Sequence, residues 1–188
     1  PRTGGRVFSS ADRGLFEQKM TALWIRDPLS IFADGAERGL VVHDQQIVQL
    51  VSAGRTPSVP FDATFDASQH VVLPGLINTH HHFYQNLTRA LRPALDKELF
   101  DWLQALYPVW AGLEPEMLAV ATELALAELL LSGCTTTSDH HYLYPAGLEQ
   151  AIDIQVEVAR QIGIRVTLTR GSMDLCVDDG GLPPASVV

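Results

Sequence analysis

Positive charge is in short supply: 13 Lys and Arg stand against 22 Asp and Glu, a formal net charge of -9 over 188 residues. Affinity for a phosphate backbone or an anionic lipid surface needs clustered cations, so nucleic acid and membrane surfaces are not expected partners. Long apolar runs are missing as well. None reaches the roughly 18 to 20 residues that span a bilayer, and the richest, Leu118 to Leu131, is interrupted by Glu123 and Glu128. The N-terminus lacks the charged, apolar and small-residue order of a secretion signal. Cysteine is limited to Cys134 and Cys176. They form no CxxC pair and indicate neither a disulfide framework nor a thiolate zinc knuckle, which makes a reducing cytoplasm the expected compartment. Repeats at a solenoid period and low-complexity tracts are also absent. What remains, 46% hydrophobic and 19% charged residues, has the composition of an ordinary globular protein.

The chain begins at Pro1 rather than Met. Residues 1 to 19 are rich in Arg, Gly and Ser and show no periodicity, so Met20 is the expected natural start and 1 to 19 upstream sequence. Residues 20 to 72 carry strand signals at Leu23 to Ile25, Gly39 to Val42 and Ile47 to Val51, punctuated by Asp34-Gly35 and by His43 to Gln46. About 50 residues are too few for an independently stable sandwich, so this β region is expected to pair with strands from elsewhere.

Residues 73 to 188, opening with Pro74-Gly75, alternate strand and helix signals in the manner of a parallel α/β fold. Strands are expected at Leu76 to His80, Cys134 to Ser138 and Ile164 to Leu168. Helices are expected at Leu99 to Leu106, Pro115 to Leu131 and Gly147 to Ile162, with Gly133 and Gly163 ending the last two. The Pro115 to Leu131 helix is apolar nearly all round and is expected to be buried. Three βα units leave an open parallel sheet with bare edges, so the chain is expected to be the first part of a fold that closes beyond it, truncated at Val188.

The strongest chemical signal is His80-His81-His82, which holds three of the chain's seven histidines. In extended backbone, side chains alternate, so His80 and His82 share a face and His81 takes the other. Two imidazoles one strand repeat apart can converge on one zinc ion at about 2.0 to 2.1 Å and leave at least two positions open. An isolated His-x-His is also compatible with a polar strand end. The position argues for more: polar clusters at the C-terminal ends of parallel barrel strands are where active sites lie.

Pro74-Gly75, four residues, then His80-x-His82 after a small β region resembles the opening of the amidohydrolase superfamily. Ser132-Gly133-Cys134-Thr135-Thr136-Thr137 and Asp101-Trp102-Leu103 are similar to further stretches of its deaminase members, so that the resemblance covers about residues 20 to 188. Within the family, His80 to Gln85 together with Thr137 to Tyr142 looks most like the 8-oxoguanine deaminases, relatives of the guanine and hydroxytriazine deaminases. The resemblance implies the N-terminal part of a (β/α)8 TIM-like barrel beside a small β-sandwich. It implies one zinc ion held by His80 and His82 with a later His and Asp, and proton transfer by a Glu and a His beyond Val188. The implied reaction is hydrolytic deamination of a small heterocycle, water replacing an exocyclic amine. A homo-oligomer is expected.

Three further residues are taken as substrate contacts. Gln85 occupies the offset at which guanine deaminases carry a base-binding Gln, and its amide can both donate and accept. A solvent-facing turn residue is the competing reading. Trp102 could stack on a flat ring or pack in the core. Asp139, His140 and His141 end the second barrel strand, and His141 is taken to line the pocket, with no second ion expected. Arg170 could reach a substrate carbonyl or pair with a carboxylate, and Asp174, Asp178 and Asp179 read as a solvated loop. Two other readings stay open: a binuclear amidohydrolase, for which neither Lys19 nor Lys97 follows a suitable strand, and a non-catalytic barrel fragment.

Overall fold

The computed structural model describes residues 22 to 188. Met20 and the stretch before it lie outside the described residues. The described residues divide into two compact units, one ending at Pro74 and the other running over Gly75–Val188.

In the first unit, β1 (Leu23–Arg26), β3 (Gly39–His43), β4 (Gln46–Leu50) and β5 (Ala63–Asp66) form one sheet in the order β4-β3-β1-β5. A separate parallel pair joins β2 (Ser30–Ile31) to β6 (Val71–Val72). The β3–β4 hairpin turns at Asp44 and Gln45, both with positive φ (49° and 65°), the backbone of the type I′ turn whose twist matches the strands it joins. Gly39 cannot be replaced, because a Cβ there would lie 1.8 Å from the Ile25 carbonyl oxygen. Ala22, Trp24, Val41 and Val51 form the buried cluster of this unit. Strands β2, β5 and β6 were not anticipated: each is short, and β2 and β6 are two residues long, below the length at which alternation can be read.

The second unit is a parallel three-stranded sheet, β7 (Leu76–Asn78), β8 (Cys134–His141) and β9 (Arg165–Arg170), in chain order. Its helices are α1 (Leu99–Trp110), α2 (Pro115–Leu131) and α3 (Ala151–Ile162). Pro115 starts α2 at a position where its missing amide proton costs no bond. Gly163, at φ 84°, ends α3 in the left-handed conformation, its N–H returning to the Ala159 carbonyl. Gly75 lets β7 approach β8: a Cβ there would meet the Thr135 side chain at 2.2 Å. No helix of the described residues is long and apolar enough to cross a membrane.

Three expectations are corrected. Helix α1 runs past Leu106 and through Pro108 to Trp110. Proline in a last turn forfeits one hydrogen bond, and the enclosed Trp110, 1% exposed, together with Leu106 and Tyr107 offsets it in the core shared with Tyr84, Leu118, Leu143 and Leu148. Helix α2 is not buried all round among the described residues. Leu118, Ala121, Thr122, Ala125 and Leu126 make one buried stripe at helical spacing, while Val120 and Leu131 are exposed. Strand β7 stops at Asn78 and does not include His80.

The hairpin carries its own test. Gln45→Gly relieves a side chain held at positive φ and should stabilise the protein by about 0.5 to 1 kcal/mol, read as a higher urea midpoint. An unchanged or lower midpoint would contradict the assignment of this turn.

Candidate functional site

Beyond Asn78, backbone pairing between β7 and β8 gives way to a different set of bonds. The Asn78 side chain accepts the His80 N–H at 3.0 Å and turns the chain. The His140 N–H donates to the His81 carbonyl at 2.9 Å, and the His140 carbonyl accepts the His82 Nδ1–H at 2.7 Å. The Phe83 N–H donates to Asp139 Oδ1 at 2.7 Å. Next comes a 3-10 turn, Phe83–Thr88, whose Phe83 and Tyr84 are wholly buried. The histidine turn is thus held from below by two consecutive residues of β8 and anchored at its end by two aromatic rings.

The rings of His80 and His82 are nearly perpendicular, with centroids 5.3 Å apart. Two imidazoles bonded to one tetrahedral zinc at 2.0 to 2.1 Å have centroids separated by about 5 Å, so the observed spacing suits a shared ion. His81 packs on Phe83 at 5.0 Å. Burial is the main cause holding the His82 ring below the ordinary histidine value; its bond to the His140 carbonyl opposes this, and the neighbouring His80 and His140 add to it. The neutral ring therefore predominates near pH 7, and because Nδ1 carries the proton, Nε2 keeps a lone pair for a ligand bond. His140 stands close to both rings, at 5.9 and 6.0 Å. Its own nitrogens are engaged: Nε2 donates to the Thr79 carbonyl at 3.3 Å, and Nδ1 lies 3.1 Å from Thr169 Oγ1. No group of three or more His, Cys, Asp or Glu among the described residues is arranged to hold a metal. The donor set here is two imidazoles, which fits part of a zinc site.

His80, His81 and His82 line a cavity of about 380 Å³ together with Gln85, Asn86, Arg89 and Trp102. Gln85 sits one turn below His82, and its Nε2 makes only a long contact of 3.4 Å with the Tyr84 hydroxyl. Trp102 packs edge-on against Trp110 at 5.4 Å and also borders the cavity. Arg89 is gripped at both terminal nitrogens by Glu128, at 2.9 and 2.8 Å. Arg89 and Asn86 were not singled out in the sequence, although Arg89 follows Gln85 at the spacing of one helical turn.

His141 is placed elsewhere, and alternation along β8 is the reason. Because the strand continues to His141, Thr137, Asp139 and His141 share the buried face while His140 is exposed on the other, beside His80 and His82. His141 is fully enclosed, packed against Tyr84 and Tyr144, and its ring nitrogens have no hydrogen-bond partner. Arg170 does not face the cavity lining either; its guanidinium lies 4.3 Å from the Tyr144 ring centre. Within the acidic loop, Asp179 accepts from the Cys176 thiol at 3.1 Å.

The chain belongs to the amidohydrolase family, whose profile matches residues 71–182. It is 62% identical over 172 residues to 8-oxoguanine deaminase of Pseudomonas aeruginosa, an alignment that takes in 90% of this chain and 38% of that protein. It is 40% identical over 115 residues to hydroxydechloroatrazine ethylaminohydrolase of a Pseudomonas species, covering 59% of this chain and 24% of that one. Among solved structures, a mutant of atrazine chlorohydrolase from Arthrobacter aurescens, complexed with zinc and atraton, superposes with a TM-score of 0.73 at 30% identity, over 88% of this chain and 39% of the other. The chain thus spans about two fifths or less of the length of these relatives.

Two buried groups on β8 give opposing pH dependences. Burial pushes His141 down from 6.5 to about 4, so its contribution is full above 6.5 and is lost as pH falls toward 4. Burial pushes Asp139 up from 3.8 to about 6, against the bonds from Phe83 and Gln155, so its contribution is full below 3.8 and is lost as pH rises through 6. Between pH 4 and 6 the two slopes cancel. His141→Phe should make stability fall with rising pH across that window and Asp139→Asn should make it rise, each by on the order of 2 kcal/mol in urea denaturation. Parallel profiles for the two variants would contradict these assignments.

Proposed function

We propose that this chain supplies the first βα units, and two of the metal ligands, of a zinc-dependent aminohydrolase that deaminates an aminopurine. The reading is carried by the His80–His82 pair at the mouth of the cavity, with the second ring locked in the tautomer that frees Nε2. The 62% identity to 8-oxoguanine deaminase supports 8-oxoguanine as the substrate and urate with ammonia as the products. Zinc bound here would act as a Lewis acid and lower the pKa of a coordinated water toward neutrality.

The chain's own residues bind and orient. Gln85 presents an amide with unused hydrogen-bonding capacity to the cavity, suited to the alternating N–H and C=O edge of a lactam or amidine. Trp102 offers a flat apolar ring to the same cavity and packs against Trp110. Water adds to the ring carbon bearing the exocyclic amine, the C–N bond breaks, and a proton is delivered to the departing nitrogen. We assign the proton carriers, a Glu and a His, and the remaining zinc ligands to parts of the protein beyond these 188 residues. The likeness to the triazine-acting relatives favours a hydroxytriazine as the second candidate substrate.

In the full-length protein, His80→Ala and His82→Ala should each abolish stoichiometric zinc binding, by metal analysis after dialysis, whereas His81→Ala should retain most of it. Equal loss from all three would defeat the assignment of the pair. Ammonia release should be fastest from 8-oxoguanine among 8-oxoguanine, guanine, cytosine and a hydroxytriazine. A triazine preference would transfer the protein to the second reading.

A further inference from the structure

The backbone just after His82 is bonded to one buried carboxylate that the chemistry above does not use. Asp139 is fully enclosed. Its Oδ1 accepts the Phe83 N–H and its Oδ2 accepts Gln155 Nε2, both at 2.7 Å. Gln155, reaching from α3, is likewise fully enclosed. The Asp139 carbonyl accepts the Thr169 hydroxyl of β9 at 2.7 Å. Asp139 is therefore tied to α3, to β9 and to the residue that follows His82, while the next carbonyl along, that of His140, holds the His82 ring. Both flanks of His82 are set by two successive residues whose own position is fixed from the helix layer.

We propose that Asp139, braced by Gln155, is a positioning residue of the metal site: it fixes the turn bearing His82, so that the His140 carbonyl selects the Nδ1–H tautomer and aims Nε2. This rests on the reading of His80 and His82 as zinc ligands. A carboxylate here costs solvation that a purely structural turn would avoid by using solvent, and two short bonds offset that cost only while the backbone of Phe83 and the amide of Gln155 stay in register. The same geometry shows what the clamp requires. It needs an acceptor facing Phe83 and a polar partner facing Gln155, and negative charge is dispensable. The amide oxygen of Gln155 has no partner, so a flipped Gln155 amide could accept from an Asn at position 139 and keep both bonds.

The test uses the full-length protein with Asp139→Asn, Asp139→Ala and Gln155→Leu, read by zinc affinity in chelator competition and by hydrogen exchange of the segment containing Phe83. Asp139→Asn should bind zinc within about threefold of the parent, whereas Asp139→Ala should weaken it by roughly 10- to 100-fold, the usual effect of losing a group that orients a ligand. The alanine variant should also speed exchange around Phe83. If it does not fold, Gln155→Leu, which leaves the carboxylate and its bond to Phe83 in place but unbraced, should give a smaller loss of zinc affinity in the same direction. Parent-like zinc affinity in folded Asp139→Ala or Gln155→Leu overturns the proposal, as does an Asn variant as weak as the Ala variant. Failure of the underlying reading looks different: zinc would survive His80→Ala and His82→Ala, with exchange at Phe83 still responding to Asp139→Ala.

Discussion

The second unit depends on a single substitution of one kind of hydrogen bond for another. Where β7 ends at Asn78, the edge of β8 still presents the N–H and C=O of His140. A backbone N–H of β7 would satisfy that carbonyl if the parallel ladder continued. Here the imidazole of His82 does so. The ring thereby becomes part of the sheet's bonding, and its orientation inherits the rigidity of a strand although the residue lies on a turn. Sites whose side chains are locked by such supporting bonds keep their geometry within the narrow tolerance that metal binding demands.

The surrounding packing serves that constraint. Phe83 and Tyr84 follow His82 immediately and are buried in two different clusters, Phe83 with Ala125 and Leu126 of α2, Tyr84 with Trp110, Leu143 and Leu148. The turn cannot rotate without withdrawing one of these rings. Gly75 permits the close approach of β7 to β8 that brings the histidine turn within reach of His140 in the first place. Trp102, half-buried against Trp110, extends the same aromatic cluster to the cavity wall. Fold and candidate site share their residues, so a change in the aromatic core will be felt as a change in the orientation of the histidine rings.

What was legible in the sequence follows the range of the signal. Helices α2 and α3, with proline at one start and glycine after both ends, are written in local periodicity and were anticipated to within a few residues, as was the order of the parallel strands. The nearness of His80 and His82 was expected from strand alternation, but β7 stops at Asn78 and the turn that follows brings the two rings together. His141 was expected at the pocket because it ends the second barrel strand; the extent of β8, set by pairing with β9 as far as Arg170, puts it on the buried face and His140 on the exposed one. The Asp139–Gln155 bond, between residues 16 apart on different elements, has no local pattern at all. The amidohydrolase resemblance pointed to the barrel and to the histidines but not to what orients them.

The His140 carbonyl fixes His82 as the Nδ1–H tautomer without help from a metal. Nitrogen-15 NMR of the histidine side chains in the zinc-free full-length protein, at a pH where His82 is neutral, measures this directly. The expected result is a protonated Nδ1 and an unprotonated Nε2 for His82, with a coupling or shift signature of the bond to His140. A His82 ring protonated at Nε2, or one averaging between tautomers like free histidine, would contradict it.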